Sequence, residues 1–232
     1  MKQPPKLLHE EELVWSPIVA NNRMNRERQA SGVNSYENEV GFCPEDWLRA
    51  LLTREPEACW LDVCCGKGNA LLQTAQALAA SQNHLHLHGL DLVDFFSPIP
   101  AQVNCVRFFT GSVIHWQPPL PAYHLITCIH GLHYVGDKLG AIARLGKMLA
   151  PGSKMVASFD LASVQIGNDT QGETVLEWFR QAGIEYDAQK KLIIAQAPLP
   201  HVPLFAHAYL GANDRAGKNY TGQEAVTAYY AE

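Results

Sequence analysis

LDVCCGKGNALLQ, residues 61–73, reads as the end of a buried strand, a turn built on Gly66 and Gly68, and the start of an amphipathic helix. The two glycines permit a tight turn and let the backbone approach a ligand closely, as in any strand–glycine loop–helix site. Upstream, ACWLDVC (58–64) is a short apolar run between Glu-Pro-Glu and glycine, the pattern of a strand covered on both faces. Downstream, 69–80 places Leu71, Leu72, Ala75 and Leu78 on one helical face. The next strand, in LHLHGLDLVD (85–94), ends in Asp91, about 20 residues beyond the glycine turn, where an acid can hold ribose hydroxyls.

Strands and helices keep alternating from there. Strands are expected at 103–110, 123–129 and 154–160, and helices at 137–149 and 173–181. One more helix precedes the motif, starting at Pro44, with Trp47, Leu48, Leu51 and Leu52 on one face. The last two strands, one ending near Gln196 and one at 204–210, are joined by APLPHVP (197–203), too short for a parallel crossover. The expectation is an α/β, doubly wound, seven-stranded, mostly parallel Rossmann-like sheet with a reversed seventh strand in a β6–β7 hairpin at or near an edge. Residues 1–57 read as an N-terminal extension with helices, 58–210 as the core and 211–232 as a C-terminal tail.

Composition bounds the function. Of 232 residues 47% are hydrophobic and 18% charged, which excludes a disordered chain. No apolar stretch approaches the roughly 18 residues of a membrane span, and the first fifteen residues lack the apolar region of a signal peptide. A net charge of −5 gives no global basic field for nucleic acid. Six cysteines without a CxxC pair suit reduced thiols, so a cytoplasmic setting is expected.

Taken together, the acid, the glycine turn and the second acid resemble a class I S-adenosylmethionine-dependent methyltransferase, over about residues 58–210. Asp62-Val-Cys-Cys-Gly66-Lys-Gly68 is similar to the family's first motif, with Cys64 where the first glycine usually stands. Asp91 and Leu92 match the acidic end of the second strand. The segment Phe109-Thr-Gly111-Ser112-Val113 resembles the one beside the adenine, with Ser112 in place of the usual aspartate. The run 123–130 resembles the fourth strand, with His124 replacing another aspartate, and Leu149-Ala-Pro-Gly152 resembles the turn into the fifth. The resemblance implies S-adenosyl-L-methionine as cofactor, held by Asp62, Cys64, Gly66, Gly68, Asp91, Leu92, Ser112, Val113 and Ile129. The turn also lacks the three-glycine GxGxxG that carries a pyrophosphate, which argues against NAD(P).

His130, His133 and Tyr134 follow the fourth strand, where an open sheet binds ligands. His133 or His130 is the expected base or substrate clamp. Tyr36, Tyr134, Asp160 and His201 are the expected substrate contacts, and the extension, with Asn34, Tyr36 and Phe42, is expected to fold over the crevice as a lid. Arg23, Arg26 and Arg28 read as a solvated helix face. His84, His86 and His88 alternate along one strand and would spread over about 13 Å, too far for one ion, so no metal site is expected.

The expected reaction is methyl transfer by in-line displacement to a small-molecule acceptor. RNA or protein methylation on the same fold and a non-catalytic cofactor- or partner-binding module are the alternatives. No Asn/Asp-Pro-Pro-aromatic turn follows the fourth strand and no Pro-Cys pair precedes a helix, which weighs against DNA bases. The tail is expected to start about 20–25 Å from the methyl, to pack along the sheet edge or against a second copy in a homodimer, and to supply no catalytic residue.

Overall fold

The computed structural model describes residues 5–20, 27–169, 171–197 and 207–232. Seven strands form the main sheet: β1 (Ala58–Val63), β2 (Leu85–Asp91), β3 (Val106–Thr110), β4 (Tyr123–Cys128), β5 (Leu149–Ser158), β7 (Ile184–Asp187) and β8 (Leu192–Gln196). β6 (Val164–Ile166), β9 (Tyr209–Asn213) and β10 (Thr227–Tyr230) make a second, three-stranded sheet. The main order is β3-β2-β1-β4-β5-β8-β7, parallel throughout except that β8 runs antiparallel to both β5 and β7.

Neighbouring strand residues sort to opposite faces, as the two-residue period demands. Trp60, Leu125 and Val156 join one apolar cluster, with Leu48 and Leu51 of α4 (Pro44–Leu51) and Leu71 and Ala75 of α5 (Asn69–Ala77). Leu61, Ile126 and Met155 join the other, with Leu139 and Ile142 of α6 (Lys138–Gly146) and Val175 and Phe179 of α7 (Glu173–Ala182). With both faces covered, β1 is buried along its whole length, which is why it reads as an uninterrupted apolar run.

The reversed hairpin lies earlier in the chain than expected. The hairpin that reverses the sheet is β7–β8, closed by a tight turn, and the chain near 209 belongs to the second sheet. Gly183 ends α7 in the left-handed conformation, and β7 follows at once with only Ile184 buried, too short and too polar to read as a strand. The chain leaves β8 at the end of the sheet away from the ligand-binding rim, and 198–203 of APLPHVP lie outside the described residues. Ala197 bonds to Ser153 near the start of β5, at the opposite end of the sheet.

The later part of the tail reaches that rim. Val226 N donates to His133 O, Tyr134 Oη to Gln223, and β10 pairs with β6 just beyond β5. The first residues join this same layer. Leu8 exchanges both backbone hydrogen bonds with Ala212, at 2.8 Å each, and the Ser16 hydroxyl donates to Asp214 at 2.7 Å. Short helices α1 (Glu10–Leu13), α2 (Pro17–Ala20) and α3 (Tyr36–Val40) complete the extension.

Candidate active site

Cys64, Gly66 and Gly68 all have positive φ (57°, 60° and 73°), so the turn after β1 winds left-handed. Gly68 caps α5, and a Cβ there would lie 2.1 Å from Phe108 Cε1. Cys64 takes a conformation that disfavours side chains, and its neighbour makes room for it. A Cβ on Gly131 would lie 2.4 Å from Cys64 Cβ and 2.7 Å from its sulfur. The glycine absent from position 64 is matched by the glycine present at 131.

The turn and the ends of β2, β3 and β4 border an open cleft. At its centre Gly66 N donates to Asp91 Oδ2 at 2.8 Å, and Val93 N to Asp91 Oδ1 at 3.3 Å. Leu92, Val93 and Val113 give it an apolar wall, and Cys64, Ile129, His130 and Gly131 close the end near β4. Glu10, Leu13, Val14, Val19 and Arg28 of the extension also line it. The sequence held no periodic signal for these five, and Arg28, read as solvated, is largely buried.

Nine of the expected residues thus meet in one place: Cys64, Gly66, Asp91, Leu92, Ser112, Val113, Ile129, His130 and Tyr134. Others stand apart. Asp62 is fully buried and accepts from Tyr36 Oη (2.8 Å to Oδ2) and Thr127 Oγ1 (2.6 Å to Oδ1), so Asp62 and Tyr36 satisfy each other behind the cleft. Burial pushes the Asp62 carboxyl up to about 7. Gly68 lies under the cleft against Phe108, and Asp160 caps the turn Leu161–Ser163 through Ala162 N. His201, Arg23 and Arg26 fall outside the described residues.

The two histidines differ. His133 is buried, neither ring nitrogen has a partner among the described residues, and burial with Lys138 nearby pushes it down to about 3. It therefore stays neutral. His130, at φ 60°, places Nε2 3.2 Å from Glu39 Oε1, at ion-pair distance without hydrogen-bond alignment, while Nδ1 has no partner among the described residues. Arg28 meets the same Glu39 oxygen at 3.3 Å, and His130 with Arg28 holds that carboxyl below its ordinary value. Tyr220 of the tail stands against both imidazoles, with ring centroids 5.3 Å from His133 and 6.3 Å from His130. Glu39 and Tyr220 were not legible as site residues.

A glycine turn after β1, an acid closing β2 and a cleft at the carboxyl ends of parallel strands are the features of a ligand site in an open α/β sheet. The chain matches a methyltransferase domain over residues 36–202, and it belongs to that family. Among curated proteins none is significantly similar to it. Solved structures similar in part include SAM-bound CalS10, an amino pentose methyltransferase from Micromonospora echinaspora (21% identity, TM-score 0.38, 68% of this chain and 58% of that one). The N-methyltransferase NodS from Bradyrhizobium japonicum WM9, in complex with S-adenosylhomocysteine, is 17% identical (TM-score 0.39, 65% of this chain and 83% of that one). The (4+2)-cyclase SpnF is 18% identical (TM-score 0.42, 68% and 61%). The chain thus spans less than two thirds of the lengths of CalS10 and SpnF.

Proposed function

We propose that this chain transfers a methyl group from S-adenosylmethionine to a small-molecule acceptor. The observation that carries the reading is the Asp91–Gly66 junction in the cleft: a carboxylate fixed by the glycine turn's own N–H at the end of β2, where an acid accepts from vicinal hydroxyls. Charge supports it. The cleft brings the carboxylates of Glu10 and Asp91 together with a single cation, Arg28, among its described lining residues, and Arg28 is itself paired with Glu39. That balance suits a ligand bearing sulfonium and ammonium groups and opposes a pyrophosphate.

When bound, the cofactor supplies an activated methyl that leaves sulfur by in-line displacement. The chain's work is positioning and water exclusion. Gly66, Asp91, Leu92, Ser112 and Val113 would hold the nucleoside, and Cys64, Ile129 and Gly131 would border the methyl. His130, beside Glu39, is the group placed to take the acceptor's proton through Nδ1. His133, kept neutral by burial, is a poor base and serves as wall with Tyr134 and Tyr220. The extension residues that line the cleft, Glu10 to Val19 and Arg28, favour a small acceptor over a polymer. A thermal-shift series tests the reading: adenosylmethionine and adenosylhomocysteine should each raise Tm, because a ligand that binds only the folded chain stabilises it, and NAD(H) should not. A rise with NAD(H) alone would refute it.

A further inference from the structure

We infer that Glu10, carried by the N-terminal extension, is the adenine-reading residue of the cleft, accepting a hydrogen bond from the exocyclic amine of the cofactor's base. This rests on the cofactor reading above and adds a residue from outside the Rossmann-like core.

The cleft has a direction. Gly111 N donates to Asp91 O at 2.8 Å, so the chain leaving β3 runs directly beside the acid that closes β2. Ser112 and Val113 follow at once and line the cleft together with Leu92 and Val93. A nucleoside whose ribose sits on Asp91 lays its flat base along this apolar wall, with the edge of the base toward Ser112. The wall itself offers no charge to read that edge.

Glu10 supplies one. The Ser112 hydroxyl donates to Glu10 Oε1 and anchors the carboxylate at the end of the wall. Oε2 is buried and has no hydrogen-bond partner among the described residues. Leu13, Val14, Val113 and Val135 also line the cleft and bring no side-chain donor to it. An ionised carboxylate only accepts hydrogen bonds, and leaving a buried one without a donor is expensive. The missing partner is therefore an N–H donor at the edge of a flat ligand. Adenine's 6-amino group is such a donor, whereas a 6-oxo base would bring an acceptor against the carboxylate. The neighbouring Tyr209 hydroxyl is also buried without a partner, and Gly136 lies between them: a Cβ there would come 2.5 Å from Tyr209 Oη and 3.2 Å from Glu10 Oε2. A purely structural Glu10–Tyr209 pairing is thus the rival role.

Calorimetric titration of the full chain with S-adenosylhomocysteine and S-inosylhomocysteine separates the two. The wild-type chain should prefer the adenosyl ligand by about tenfold or more. Glu10→Ala should weaken the adenosyl ligand by a similar factor while changing the inosyl ligand little, so the preference collapses. Adding Ser112→Asp to Glu10→Ala, which returns a carboxylate to the same end of the wall, should restore it. Equal loss of both ligands in Glu10→Ala would assign Glu10 to structure, and an unchanged preference would also overturn the inference. Wild-type binding of neither ligand would overturn the cofactor reading itself, and the inference with it.

Discussion

The Tyr36 hydroxyl lies 2.8 Å from Asp62 Oδ2, so a residue of the extension seals the acid at the heart of β1. Trp60 Nε1 donates to Thr127 Oγ1 at 2.8 Å, and Thr127 donates to Asp62, which ties β1, β4 and α3 into one buried network. The extension is thereby part of the folded core.

This network has a pH signature. Burial raises the Asp62 carboxyl from 3.8 to about 7 in the folded chain. Over that window the folded state binds more protons than the unfolded one, so Asp62's contribution is full below about pH 4 and is lost as pH rises through about 7. Asp62→Asn removes this dependence. Urea denaturation should show the variant gaining stability relative to wild type as pH climbs across the window. Parallel pH profiles would contradict it.

Cys64 and Gly131 should behave as a coupled pair. Gly131→Ala drives a methyl into the Cys64 side chain and should destabilise by about 1–3 kcal/mol. Cys64→Gly removes the obstruction, so the double variant should recover part of that loss in a double-mutant cycle. Strictly additive effects would mean that the contact does not limit packing.

Tyr230 clamps the start of α6, donating to Asp137 Oδ1 at 2.9 Å and accepting from Leu139 N at 3.0 Å. Tyr230→Phe should lower stability by about 1–3 kcal/mol, since the buried Leu139 N–H and the half-buried Asp137 carboxylate each lose a hydrogen bond. Chemical denaturation measures this, and an unchanged midpoint would place the tail's contribution elsewhere.

What could be read from the sequence was what depends on local pattern. Buried parallel strands are apolar runs, the turn at Gly66 and Gly68 needs residues that tolerate positive φ, and Asp91 closes a strand. These marked the parallel strands and placed Gly66 and Asp91 at their ends, while Cys64, Leu92, Ser112, Val113 and Ile129 followed from the family resemblance. The contacts that were missed join distant segments without periodicity. Glu10 reaches Ser112 across 102 positions, and Leu8 pairs with Ala212. Tyr220 rides a loop flanked by Gly217 and Gly222, both at positive φ, so no helical pattern there pointed the ring at the cleft rather than at the expected sheet edge. Asp62 was legible as a buried acid, but only the fold shows that Tyr36 and Thr127 occupy its oxygens.

The central claim is that Asp91, fixed by the glycine turn, holds the nucleoside of an adenosyl cofactor. Calorimetric titration of wild type and Asp91→Ala with S-adenosylhomocysteine tests it most directly. The account predicts saturable wild-type binding and a loss of about 1.5–3 kcal/mol in the variant, the range for hydrogen bonds to a charged group. Equal affinity in the two proteins would contradict it.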